Sequence, residues 1–121
     1  MATNSEYEER FLIFSAEVLS LVGKIPKTQT GRHVADQLLR SGTSVGAHMR
    51  EARAAESRAD LIHKMQMALK EAREANYWLL LLQKGKMMSC DALAFLVRES
   101  GELVAILAKS VITAKRNNGQ T

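Results

Sequence analysis

Cysteine is almost missing from this chain. Cys90 stands alone, so no disulfide can form within one chain. A solitary thiol suits a reducing compartment, although it could also link two chains. Proline is as scarce: Pro26 is the only one, and the seven glycines are scattered, which argues against a β-sandwich, a collagen-like repeat or a disordered chain. Aromatic residues make up 5%, low for a protein that binds single strands by stacking bases on exposed rings. The longest apolar run, Tyr77 to Leu82, falls far short of the roughly 20 residues that cross a bilayer, so no membrane role is expected. The opening residues MATNSEYEER are polar and acidic, the reverse of a signal peptide's basic and then apolar start. The cytoplasm is the expected location.

Apolar residues are 46% of the chain and charged residues 25%, enough for one core and a solvated surface. A length of 121 residues fits a single domain, taken as 1–121. The formal net charge of +4 permits nucleic-acid binding without requiring it.

Apolar residues recur at three- and four-residue steps along the whole chain, which predicts four amphipathic helices. The first covers about 5–24, opening on Ser5 and Glu8 at capping-box spacing, with the stripe Phe11, Phe14, Val18, Leu21, Val22 and Ile25. Pro26 ends it, because proline disfavours helical geometry at the preceding residue. The second covers about 32–56, with Val34, Leu38, Val45, Met49 and Ala52. In its middle Ser41-Gly42-Thr43-Ser44 sets four weak helix formers in a row. Since the stripe keeps its phase across them, small residues that admit a neighbouring helix are favoured over a break. The third covers about 58–84, opened by Ser57 and Asp60 and stopped at Gly85, with an inner face of Leu61, Met65, Ala68, Leu69, Ala72, Asn76, Leu79 and Leu82. The fourth covers about 90–115, with Leu93, Leu96, Val97, Val104, Leu107, Val111 and Ile112; a polar tail, 116–121, is expected to fray.

Short turns between such helices give an all-α, antiparallel up-down-up-down four-helix bundle. Ile62, Tyr77, Trp78, Leu80 and Leu81 on the third helix, with Phe95, Leu103 and Ile106 on the fourth, exceed what one core requires. Contiguous exposed apolar patches are rare on soluble monomers, so self-association is expected, with Tyr77, Trp78, Leu81 and Phe95 as interface candidates.

Two segments carry a resemblance. They are Leu39-Arg40-Ser41-Gly42-Thr43-Ser44-Val45, followed by Met49-Arg50-Glu51-Ala52, and Lys64 through Leu79, read K-M-Q-M-A-L-K-E-A-R-E-A-N-Y-W-L. Together they resemble the four-helix-bundle family encoded in intervening sequences of bacterial 23S ribosomal RNA genes. The resemblance spans most of the chain and implies a bundle that assembles into a ring- or barrel-shaped pentamer. A related branch, the accessory proteins of diversity-generating retroelements, implies binding of a reverse transcriptase and nucleic acid through a basic surface. One departure stands out: His48 occupies a place where the family tends to carry asparagine, and histidine can gain charge near neutral pH.

Signals for catalysis are weak. His48 and Glu51 lie one turn apart, but bundle metal sites need Glu-x-x-His pairs on two helices with further glutamates, so a structural pair is favoured. His33, His48 and His63 lack ligand spacing, Cys90 has no histidine near it in sequence, and there is no Gly-rich phosphate loop or zinc spacing. No cofactor, no metal and no enzymatic activity are expected. Ser41, Ser44, His48, Glu51 and Glu71 form a candidate interhelix polar network, weighed against hydroxyls capping carbonyls and salt bridges to residues such as Lys64. Arg40, Arg50, Arg53, Arg58, Lys64, Lys70 and Arg73 form a candidate nucleic-acid face, with Arg32 beside them. Interleaved acids, with Asp36 near Arg32 and Arg40, Asp60 near Lys64 and Glu74 near Lys70, give the pattern of an ordinary solvated face, which weighs against that reading. The expected function is therefore a noncatalytic homo-oligomer that binds RNA or DNA, or alternatively a protein-interaction scaffold with no nucleic-acid role.

Overall fold

A computed structural model describes residues 4–117, and they fold into α1 (Asn4–Val22), α2 (Gln29–Arg53), α3 (Arg58–Lys84) and α4 (Asp91–Asn117). Among the described residues there is no strand. α1 packs on α2, α2 on α3 and α3 on α4, and α4 closes more lightly on α1, while no Cα atoms of the diagonal pairs come within 8 Å of each other. This is the antiparallel up-down-up-down bundle that the four stripes predict.

The ends follow local chemistry. α2 starts earlier than expected because Thr28 caps it, its Oγ1 accepting from the Gly31 amide at 3.1 Å. α3 starts as predicted: Ser57 Oγ accepts from the Asp60 amide at 3.0 Å, and Asp60 Oδ2 accepts from the Glu56 amide at 3.2 Å. Ser5 lies inside α1 rather than capping it. Arg116 and Asn117, expected to fray, complete α4; the rest of the predicted tail, 118–121, lies outside the described residues.

Phe14, Val18, Leu38, Val45, Leu79, Leu82, Leu96 and Leu107 form the heart of the core. Three expectations are corrected. Ile62 and Leu103, set outside the stripes, are buried, and Ile112, set inside one, is 52% exposed. Ile62 is buried because it packs in a separate cluster with Ala52, Met65, Val111 and Ala114, to which α1 contributes no residue.

The small-residue segment in α2 does not break the helix. A methyl group on Gly42 would come within 2.8 Å of Val18 Cγ1, so glycine is what lets α1 approach. The hydroxyls of Ser41, Thr43 and Ser44 donate back to carbonyls one turn earlier, at 2.9, 2.7 and 2.6 Å, which leaves the buried Ser41 hydroxyl satisfied.

The two ends of the bundle differ. At the end holding the α1–α2 and α3–α4 turns, Ile25, Val34, Leu82 and Leu93 join the main core, and Met87 and Met88 pack against it. The α3 terminus is closed by amides of Lys86 and Met87 donating to the carbonyls of Gln83 and Leu82, at 3.2 and 3.0 Å. Gly85 caps the helix, as predicted, but in right-handed geometry; the residue with positive φ, 55°, is Lys86. At the other end α1 and α4 part, leaving a cleft of about 1160 Å³ lined by Tyr7, Phe11, Met49, Met65, Ile106 and Ala114.

Candidate functional site

The residues singled out for nucleic acid do not form one free basic face. Arg40 on α2 donates from Nη1 to both oxygens of Glu71 on α3, at 3.2 and 3.1 Å, and from Nη2 to Glu74. Arg53 reaches across to Glu8 on α1. Lys64 pairs with Asp60 one turn back, at 3.3 Å, the helix pair that spacing predicted. Arg50, Arg58, Lys70 and Arg73 are exposed and have no ion pair among the described residues. Asp36 likewise pairs with neither Arg32 nor Arg40, because the Arg40 guanidinium is turned toward α3.

Beside Arg40, Glu74 is held in the ionised form. Arg40's hydrogen bond lowers the Glu74 pKa below its ordinary 4.5; burial opposes this, and the Trp78 indole adds to it by donating Nε1–H to Glu74 at 3.1 Å. The same contacts, Glu74 first, raise the pKa of Arg40. Asp60 is also lowered, chiefly by the Glu56 amide that donates to it. A second clamp joins α1 to α4. Arg10 holds Glu99 in a two-point contact at 2.8 and 2.7 Å and also reaches Glu102 at 2.9 Å; the Glu99 hydrogen bond is the main cause of its raised pKa.

The polar residues expected to share one network do not meet. Ser41 and Ser44 bond to their own helix, Glu71 bonds to Arg40, and no hydrogen bond links any two of Ser41, Ser44, His48, Glu51 and Glu71. His48 is half-buried and Glu51 exposed, and no hydrogen bond joins the two. The buried polar link between helices lies elsewhere: Asn76 on α3 donates to Ser100 Oγ on α4 at 2.9 Å. Among the described residues no three His, Cys, Asp or Glu side chains converge as metal ligands would.

Of the four interface candidates, Tyr77, Leu81 and Phe95 are exposed, by 58, 38 and 39%. Trp78 is half-buried, edge-on to His33 at 5.7 Å and to Tyr77 at 5.2 Å, which ties α3 to the start of α2. Phe95 does not join Tyr77: it lies one and two turns before Glu99 and Glu102, on the edge of α4 that faces Arg10 of α1. A larger outward apolar stripe was missed. Leu12 and Leu19 are 60 and 57% exposed on α1, and the contact of Ser15 with Gly42 puts Leu39 of α2 level with Leu19. A reading that searches each helix for its inner stripe passes over an apolar residue on the outside.

The fold and these surfaces define an all-α, antiparallel four-helix-bundle protein with large apolar side chains left on its outside. Residues 5–109 match the model of the 23S rRNA-intervening sequence protein family, and the chain belongs to that family. A solved structure from Bacteroides thetaiotaomicron, described as a protein of unknown function from the S23 ribosomal protein family, is 34% identical and superimposes with a TM-score of 0.80. The alignment covers 89% of this chain and 96% of that one. No match was found among curated proteins. Among the described residues no helix is long and apolar enough to cross a membrane.

Proposed function

We propose that the chain is a noncatalytic assembly protein of the cytoplasm: copies associate through the outward apolar side chains, and the assembly holds RNA or DNA through cations that no carboxylate has claimed. The observation that carries this reading is the exposure of eight large apolar side chains spread over all four helices. Leu12, Leu19 and Leu39 lie along the α1–α2 side, while Tyr77 and Leu81 lie on α3, the helix diagonal to α1. Two different patches on opposite sides favour a head-to-tail contact, which closes into a ring if the rotation permits. The pentameric ring implied by the family resemblance is an arrangement of this kind.

A scaffold for another protein, with no nucleic-acid role, is the second reading. It is favoured by the pairing of Arg40, Arg53 and Lys64 with carboxylates, which takes three of the seven expected cations out of play. Fluorescence anisotropy with labelled structured RNA and duplex DNA, at low and physiological salt, separates the two. Binding that persists at physiological salt, with affinity falling linearly in log salt, supports nucleic acid; binding confined to low salt leaves the scaffold.

A further inference from the structure

The charge of this protein is unevenly placed. Between residues 40 and 74, where the candidate nucleic-acid face was sought, seven Lys and Arg meet five Asp and Glu. The segments 23–32 and 84–91, which join α1 to α2 and α3 to α4, carry Lys24, Lys27, Arg32, Lys84 and Lys86 against Asp91 alone. That surplus equals the +4 of the whole chain, so the rest of the molecule is formally neutral.

The topology gathers these cations at one end. α2 and α3 run antiparallel, with Arg40 against Glu71 and His33 against Trp78, and the same register brings Lys27 level with Lys84. α4 packs on α1, which sets the Lys24 turn and the Asp91 terminus side by side. All five cations are exposed, and none has an ion pair among the described residues. Helices packed about 8–10 Å apart make this end a platform roughly 20 Å across, wide enough to span several phosphates of one backbone.

The turn spends conformational strain on one of these lysines. Lys86 holds φ 55° at the position past a helix end where glycine is the usual residue. A lysine there costs the fold more than a glycine would, so its charge is the feature that the turn retains.

We infer that this turn-bearing end is the phosphate-binding face of the protein, taking the phosphodiester backbone of RNA or duplex DNA. The inference rests on the nucleic-acid part of the proposed function and moves its contacts off the α2–α3 flank. Four of the five cations are lysines, point charges without the planar fork that reads guanine edges, and neither segment contains an aromatic residue on which a base could stack. Binding is therefore independent of sequence.

Two charge-matched variants test this. Lys24, Lys27, Lys84 and Lys86 are changed to Gln in one, and Arg50, Arg58, Lys70 and Arg73 to Gln in the other, so both lose the same charge. Circular dichroism and melting check that each still folds. By anisotropy at physiological salt, the turn-end variant loses about tenfold or more in affinity and its salt slope for duplex DNA falls by about 3–4, while the flank variant stays within a few-fold of the unaltered protein. Equal losses, or a greater loss in the flank variant, overturn the placement while leaving the nucleic-acid reading standing; no binding by the unaltered protein overturns both. Binding to phosphatidylserine vesicles in place of nucleic acid, with the same dependence on the four lysines, also overturns it.

Cys90 provides an independent readout, since it is exposed at this end and is the only thiol. Saturating RNA slows its alkylation by iodoacetamide, whereas an unchanged rate counts against the placement. Lys86→Gly separates charge from structure: it raises the melting temperature and lowers affinity together, and a gain in stability with unchanged affinity would remove Lys86 from the face.

Discussion

The two ends of this bundle are built from the same four helices and differ in almost every physical respect. At the turn-bearing end Ile25, Leu82 and Leu93 are at most 3% exposed, and every helix contributes to one core. At the end of the chain termini the core thins to a satellite cluster without α1, and a cleft opens between α1 and α4. Charge follows the opposite logic. The well-packed end carries uncompensated cations, whereas the loosely packed end is laced by Arg53 with Glu8 and Lys64 with Asp60. Tight packing lets a surface tolerate like charges close together, because core burial outweighs repulsion that solvent and salt already weaken.

The sharpest way to break the closed end is at Gly31. A methyl group there would sit 1.8 Å from the Pro26 carbonyl oxygen, and backbone cannot yield as a side chain does. Gly31→Ala is expected to cost about 3 kcal/mol or more in chemical denaturation. Truncations in the two cores come next. Leu82→Ala, fully buried in the main core, is expected to cost about 3 kcal/mol, and Met65→Ala, beside the cleft, about 2 kcal/mol. Equal costs would mean that the ends are not packed differently.

Gly101 supplies a control outside both ends. A methyl group on it meets nothing within 4 Å, so Gly101→Ala should stabilise the fold by about 0.5–1 kcal/mol, read from the same denaturation midpoints. The smallest effect concerns pH. Glu74 has a lowered pKa in the folded state, so its contribution is present above its ordinary 4.5 and is lost as pH falls through the lower folded value. Trp78, the only tryptophan, donates to Glu74, so its emission should change with a midpoint below 4.5; Arg40→Gln should move that midpoint upward. An unmoved midpoint would remove Arg40 as the cause.

Fold class was legible because burial in a helix bundle leaves a periodic trace: Phe11, Phe14, Val18 and Leu21 on α1 announce their shared face in sequence alone. Ile62 and Ile112 were misplaced because periodicity reports phase within one helix, while burial depends on where the neighbouring helix ends. Ion pairs were legible only where both partners lie on one helix, as Asp60 and Lys64 do. Arg40 with Glu71 and Arg53 with Glu8 depend on the register between helices, which no local pattern contains. The basic end escaped notice for a similar reason. Lys27 and Lys84 are distant in sequence, and only the antiparallel packing of α2 on α3 makes them neighbours.

Self-assembly through the outward apolar side chains is the proposal on which the function depends, and sedimentation velocity across a range of protein concentrations tests it most directly. The prediction is one species at several times the 13.4 kDa chain mass, reduced toward the single chain by Leu12→Ser with Leu19→Ser while helix content is retained. A species that remains at 13.4 kDa as concentration rises would contradict it.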